Sequence, residues 1–135
     1  QTCALPICFF GAPVFYADHA QRAVQCAIEI VKKLEVFNQA RAEREAFSIQ
    51  VGIGIATGRV VAGYAGTQSR ATYICVGDPV NLSSRLETHT KVVQRAIVID
   101  DYTHRDLDDS IAVEPLGEEL FKGKTVPVRI FAVVF

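Results

Sequence analysis

The chain has 135 residues, a formal net charge of −1 and a hydrophobic fraction of 50%. This length suits one domain with one buried core, and the apolar content excludes a disordered chain. The apolar runs are far shorter than the ~20 residues of a membrane-spanning helix, and the near-neutral charge argues against a nucleic-acid-binding surface. The four cysteines lack metal-ligand spacing and indicate reduced thiols in a cytoplasmic protein.

The first seven residues, QTCALPI, have no hydrophobic period and no charge. They back-translate without a mismatch to CAG ACG TGT GCT CTT CCG ATC, which matches a widely used sequencing-adapter oligonucleotide read in frame. We therefore expect residues 1–7 to be an artefact that does not belong to the fold. Residues 8–135 would then be part of one domain whose native N-terminal portion is missing.

The next stretch predicts a strand, a long helix and a second strand. Residues 8–10 form a short apolar run before a Gly-Ala-Pro break. Apolar residues recur at steps of three or four between Ala23 and Phe37, which predicts an amphipathic helix opened by Asp18. Strict alternation over residues 47–56 predicts a strand with one large apolar face and one face of mostly small residues.

The remaining sequence alternates short strands with helices. It predicts strands over 60–62, 72–76, 95–100, 111–121 and 126–135, a loop over 63–69, a helix over 80–88 capped by Asp78, and one or two helical turns over 101–107. The last two strands are joined by a turn over 122–124. This order predicts an α+β fold with the helices packed on one face of a mostly antiparallel sheet.

Two polar residues of the predicted second helix, Asn81 and Arg85, are the strongest candidates for chemistry. They are four residues apart, so they share one face of the helix near its N-terminus. A guanidinium group suits phosphate oxygens, and the helix dipole favours anions at this end. The alternative is a solvated helix face on which Arg85 pairs with Glu87 or Asp78.

Two glycine-containing patterns carry weaker signals. Gly52, Gly54 and Gly58 follow neither the dinucleotide-binding nor the Walker A pattern, and they favour close packing of a strand against a helix. The basic turn over residues 122–124 suits a phosphate or an ordinary surface hairpin. The histidines lie far apart without a metal-ligand partner, and we expect surface or capping roles for them: His19, His89 and His104.

The stretch from Val51 to Thr90, VGIGIATGRVVAGYAGTQSRATYICVGDPVNLSSRLETHT, resembles the class III nucleotidyl cyclase catalytic domain (adenylate/guanylate cyclase). The hGxxxG strand, the AGYAG loop and above all VGDPVNLSSRLE carry the resemblance. It continues upstream through FFGAPVFYADHAQRAVQCA and downstream through EPLGEELFKGKTVPVRIFAV. Nearly everything after Phe9 is therefore covered.

This resemblance implies a ferredoxin-like α+β core that forms a head-to-tail homodimer with composite sites at the interface. In the family reaction the ribose 3′-oxygen of ATP attacks the α-phosphate, which forms cyclic AMP and releases pyrophosphate. Asn81 and Arg85 would orient the ribose and stabilise charge on the α-phosphoryl group. Lys122, or as second choice Lys124, would contact the triphosphate. Two divalent metals, Mg²⁺ or Mn²⁺, held by two aspartates, would activate the nucleophile.

The chain departs from the family pattern at the metal and base positions. One metal aspartate belongs upstream of this sequence and the other falls on Ala4, so no residue here is assigned as a metal ligand. We therefore expect the chain to be nearly inactive by itself. The base-reading position, seven residues before Asn81, is Ile74, whose side chain forms no hydrogen bond with a purine. The surrounding sequence favours ATP, with GTP as the alternative substrate.

Two other functions stay open beside an adenylate cyclase that serves intracellular signalling. The first is a non-catalytic cyclase-homology module that dimerises with an active partner and lends it Asn81 and Arg85. The second is an unrelated ferredoxin-like binding domain. The expected partners are ATP or GTP and a second copy of the chain, with no nucleic acid and no membrane segment in this chain.

Overall fold

The computed structural model describes residues 6–135, so Ala4 lies outside the described part of the chain. Helices and strands alternate along it, and this mixture agrees with the predicted α+β class. The elements in chain order are α1 (His19–Ala42), β1 (Ile53–Ile55), β2 (Val61–Thr67), β3 (Arg70–Val76), α2 (Asp78–Val93), β4 (Ile97–Asp100), α3 (Asp101–Arg105), β5 (Ala112–Glu119) and β6 (Val128–Val134). No helix within residues 6–135 is both long and apolar enough to cross a membrane.

The strands form a four-stranded sheet and a separate hairpin. The sheet has the order β1-β4-β6-β5, in which β1 runs parallel to β4 and the other neighbours are antiparallel. The hairpin pairs β2 with β3, with Val61 opposite Val76 and Thr67 opposite Arg70. The hairpin and α2 together form the crossover between the parallel strands β1 and β4. This connection sets α2 against the sheet.

The two long helices lie on opposite faces of the four-stranded sheet, so the expectation that the helices pack on one face is wrong. Successive residues of a strand point to opposite faces. In β4, Ile97 and Ile99 pack in one cluster with Val24 of α1, whereas Val98 packs in another cluster with Leu86 of α2. β4 is buried on both faces, and its continuous apolar run without polar alternation is the pattern typical of a strand that is covered on both sides.

Two strand predictions differ from the structure because strand pairing is non-local. Residues 47–52 alternate as predicted but form no ladder, and only Ile53–Ile55 of that stretch is a strand. The side-chain amide of Asn38 takes the place of a strand partner there: its Nδ2 donates to the Ile49 carbonyl at 2.7 Å, and its Oδ1 accepts from the Ile49 N–H at 2.8 Å. Residues 8–10, predicted as a strand, also lie outside the ladders.

The glycine-rich stretch 63–67, predicted as part of a loop, belongs to β2 because β3 pairs with it residue by residue. The second helix is longer than predicted and includes Asp78 as its first residue. Its N-cap position is Gly77, and no side chain caps it. The predicted capping role of Asp78 is therefore wrong, which leaves its carboxylate available for another contact.

At the end of β4, a buried carboxylate ties three segments together. Asp100 is 1% exposed, and its Oδ1 accepts hydrogen bonds from the backbone N–H and the hydroxyl of Thr103 at 2.9 and 2.6 Å. It also accepts from the Thr57 N–H at 3.3 Å. Burial raises the pKa of the Asp100 carboxyl, while these hydrogen bonds act in the opposite direction. The contacts cap α3 and fix the chain that leaves β1.

Close backbone contact joins β1 to α2, as the glycine pattern predicts. A Cβ atom added at Gly54 would lie 2.2 Å from the Ser83 carbonyl oxygen and 2.3 Å from the Glu87 nitrogen. A Cβ atom at Gly52 would lie 2.1 Å from Thr90 Oγ1. The helix therefore rests directly on the backbone of β1, at a distance that only glycine permits.

We expect the substitution Gly54→Ala to destabilise the chain by about 3 kcal/mol, since the new methyl group overlaps rigid helix backbone. Urea unfolding of the chain measures this change. The matched control is Gly63→Ala, because a Cβ atom at Gly63 meets nothing within 4 Å. The control should change the free energy of unfolding by less than about 1 kcal/mol. Equal stability of the two variants would contradict the packing described for β1 and α2.

Candidate functional site

Helix α2 has one buried face and one face that carries polar side chains. Leu82 and Leu86 are 5% and 0% exposed and pack with Val98 in the core beneath the helix. Asn81 is exposed and Arg85 is half-buried on the other side. The four-residue spacing keeps these two polar groups on the same row of the helix. Burial of the leucine face therefore decides the direction in which the candidate residues point.

The turn between β5 and β6 lies against this polar row. Gly123 has a φ of 81°, a left-handed conformation that favours glycine, and the Lys124 N–H donates to the Phe121 carbonyl at 3.0 Å. The Arg85 guanidinium is so close to the turn that its Nη2 would lie 3.2 Å from a Cβ atom at Gly123. The structure thus brings together Arg85 and the predicted basic turn, which are 38 residues apart (123 − 85) in the sequence.

A cavity of about 280 Å³ opens between α2 and the turn. Its lining contains two cationic side chains, one imidazole, two hydroxyl groups and two apolar side chains, and no carboxylate. The lining residues are Ser84, Arg85, Thr88, His89, Val92, Phe121 and Lys122. A cavity with donors and positive charge but without carboxylates is suited to an anion.

Of the two cations Lys124 and Arg85 near the cavity, only Lys124 forms an ion pair with a carboxylate within residues 6–135. Lys124 forms an ion pair with Asp78, the carboxylate in the first turn of α2. Arg85 forms no ion pair within residues 6–135, so the alternative in which it pairs with Asp78 or Glu87 is not what the structure contains. A half-buried guanidinium without a carboxylate is poorly compensated, and an anionic ligand would compensate it.

The two lysines of the turn therefore differ in surroundings. Lys122 is exposed and lines the cavity beside Arg85. The Nζ atom of Lys124 is held by Asp78, and its side chain is only 22% exposed. The side chain of Lys122 is therefore the freer of the two to reach a ligand in the cavity.

Ile74 lies apart from the cavity, on the hairpin. It is 41% exposed and faces Gly63 across the β2–β3 ladder. Cys75 is the next residue of β3, so its side chain points to the opposite face of the hairpin. The structure therefore does not place Ile74 among the side chains that line the cavity around Arg85.

His89, for which the sequence predicts a surface or capping role, lies on α2 one turn after Arg85. His89 is half-buried and lines the cavity, with its ring perpendicular to that of Phe121 at a centroid distance of 5.4 Å and an interplanar angle of 82°. The signal that would have found it is the repeated four-residue step from Asn81 to Arg85 to His89. This step places all three on one row of α2.

The described residues do not fit a divalent metal ion at this site. Within residues 6–135, no three His, Cys, Asp or Glu side chains form a group that could hold a metal. Asp78, in the first turn of α2, already forms an ion pair with Lys124 of the β5–β6 turn. Hard divalent cations need several oxygen ligands, and the lining of this cavity offers hydroxyl groups and cations instead.

Comparison with known proteins gives one family. Residues 7–133 match the family model described as the adenylate and guanylate cyclase catalytic domain. Adenylate cyclase 1 of Rhizobium meliloti (strain 1021) is 32% identical over 125 residues, which cover 93% of this chain and 19% of that protein. The guanylate cyclase soluble subunit beta-2 of Rattus norvegicus is 34% identical over 116 residues, with 84% of this chain and 16% of that protein covered.

Solved structures agree with these sequence matches. The guanylyl cyclase Cya2 has a TM-score of 0.82 and 36% identity, covering 92% of this chain and 62% of that chain. The adenylyl cyclase CyaB from P. aeruginosa has a TM-score of 0.82 and 31% identity, covering 93% and 65%. The chain thus spans less than two thirds of the length of these solved chains and about a fifth of the Rhizobium meliloti relative.

Proposed function

Because the chain belongs to the adenylate and guanylate cyclase catalytic-domain family, we propose that the cavity beside Arg85 binds the polyphosphate of ATP during formation of cyclic AMP and pyrophosphate. The observation that carries this proposal is the Arg85 guanidinium itself. It is half-buried, lies against the turn at Gly123 and has no carboxylate partner within residues 6–135. A phosphoryl group supplies the charge that this site lacks.

The proposed roles follow from position and chemistry. Attack of the ribose 3′-oxygen on the α-phosphorus places extra negative charge on the α-phosphoryl oxygens. A guanidinium fixed before the reaction stabilises this charge without reorganising, and Arg85 is the residue proposed for that role. Asn81, one turn earlier on the same row, would hydrogen-bond to the ribose and hold the 3′-oxygen in line. Lys122 would neutralise the distal phosphates, with Lys124 as second choice because Asp78 engages it.

We also propose that two copies of the chain, or this chain and a related partner, complete each site between them. Mg²⁺ or Mn²⁺ remains the proposed cofactor, although the described residues near Arg85 do not fit as its ligands. The roles proposed for Arg85, Asn81 and Lys122 are direct contacts of these side chains with the nucleotide. The chain by itself is expected to form little cyclic nucleotide, and a non-catalytic partner that lends Asn81 and Arg85 is the second candidate function.

The free thiols of Cys8, Cys26 and Cys75 support a cytoplasmic location.

GTP is the alternative substrate, and Ile74 is the residue proposed to face the purine. Relatives of both kinds match the chain, since the Rhizobium meliloti protein is an adenylate cyclase and Cya2 is a guanylyl cyclase. An isoleucine side chain forms no hydrogen bond with either base, so it excludes neither. We propose ATP as the substrate because the sequence around Ile74 resembles that of bacterial adenylate cyclases.

We expect the substitution Arg85→Ala to weaken ATP binding by about tenfold or more, because hydrogen bonds to a charged group are worth about 1.5–3 kcal/mol. Isothermal titration calorimetry of the chain with ATP measures the dissociation constant. The control is Arg105→Ala on α3, where the arginine pairs with Asp101 away from the cavity. An unchanged affinity in the Arg85 variant would contradict the proposed function.

We expect Ile74→Thr to raise the preference for ATP over GTP by about fivefold, because adenylate cyclases that resemble this chain usually have Asp, Thr or Ser at this position, where a side-chain oxygen can accept a hydrogen bond from the adenine amino group. The ratio of the two dissociation constants reports this preference. Ile74→Val is the matched control, because valine has nearly the shape of threonine and no hydroxyl. If the threonine and valine variants have the same ratio, Ile74 does not face the base.

A further inference from the structure

The end of the cavity beyond Arg85 has no role in the proposed function so far. His89 lies one turn after Arg85 on α2 and lines the same cavity as Lys122. Four residues of helix correspond to a rise of about 6 Å. With Asn81 proposed at the ribose and Arg85 at the α-phosphoryl group, His89 is the next position of the same row, one helical turn further from the ribose.

The ring of Phe121 packs against the His89 ring on the side that faces the core. Phe121 is 8% exposed and belongs to the core cluster beneath α2. Its ring meets the imidazole edge-to-face at 5.4 Å, an arrangement that aromatic pairs prefer. Since Phe121 also begins the turn that carries Lys122, the contact ties the imidazole to the turn and orients it beside the lysine.

The imidazole nitrogens are available for a ligand. Within residues 6–135 no side-chain hydrogen bond involves His89, whereas its neighbours Thr88 and Thr90 donate to backbone carbonyls at 3.2 and 2.6 Å. In either protonation state an imidazole offers at least one N–H donor. A donor beside two cations, in a cavity with no carboxylate in its lining, favours phosphate oxygens.

We propose that His89 is a further substrate-contacting residue, whose imidazole N–H donates a hydrogen bond to the terminal phosphate of the nucleoside triphosphate and to the pyrophosphate released from it. This inference rests on the proposed function, because it extends the phosphate site from Arg85 by one helical turn. The contact is one of binding, and no bond to His89 forms or breaks. The shared ligand chemistry is an oligophosphate.

Inorganic pyrophosphate is the probe that tests this contact on the unmodified 135-residue chain, by isothermal titration calorimetry. His89→Phe keeps an aromatic ring against Phe121 but removes the donor, and we expect about tenfold weaker binding. His89→Gln keeps an N–H donor and should stay within about threefold of the original affinity. The matched control is His104→Phe, since His104 also stacks on a phenylalanine, Phe131, at 4.1 Å but lies away from the cavity.

The outcomes separate this inference from the proposed function. If Lys122→Ala weakens pyrophosphate binding and His89→Phe does not, the proposed function stands and the role of His89 is overturned. If the original chain binds ATP in an Arg85-dependent way but binds no pyrophosphate, the role of His89 alone is overturned, and if it binds neither, both are overturned. Equal losses in the Phe and Gln variants would overturn the donor role.

A measurement without variants keeps the test decisive if His89→Phe does not fold. The ¹⁵N resonances of the His89 imidazole should shift on addition of pyrophosphate, while those of His104 should not. Resonances of His89 that stay unchanged at saturating pyrophosphate would overturn the inference.

Discussion

The contact between the backbone of β1 and helix α2 is the constraint on which the rest of the site depends. Gly54 brings the strand so close to the Ser83 carbonyl and the Glu87 nitrogen that no side chain fits between them. This contact fixes the height and rotation of α2 over the sheet. The leucine face then points into the core, so the row that contains Arg85 must face the turn at Gly123.

Removing the Arg85 guanidinium partly from water costs hydration free energy, and no carboxylate within residues 6–135 offsets this cost. Arg85 is half-buried, and the nearby carboxylate of Asp78 is engaged by Lys124. A guanidinium that is partly removed from water without an acidic partner is an uncompensated charge, which is unfavourable in the folded state. The absence of one among the described residues is what favours an anionic ligand, and it connects local packing to the proposed chemistry.

Local sequence patterns predicted the parts of this arrangement that depend on local physics. Helical periodicity predicted α1, and the spacing of Asn81 and Arg85 predicted their shared face. The glycine pattern predicted close packing, which the contacts of Gly54 confirm. Features that depend on contacts between distant parts of the sequence were not predicted. The placement of the helices on both faces depends on what packs on each side of β4, and the contact of His89 with Phe121 depends on a turn more than thirty residues away.

The most direct test of the central claim, that α2 presents Asn81 and Arg85 to a nucleotide, is a complementation assay. The chain is mixed with the catalytic domain of CyaB from P. aeruginosa in which the residues that align with Asn81 and Arg85 are replaced by alanine, and cyclic AMP formation is measured. We predict that the unmodified chain restores activity and that its Arg85→Ala variant does not. Failure of the folded chain to restore activity, or equal restoration by the Arg85→Ala variant, would contradict the claim.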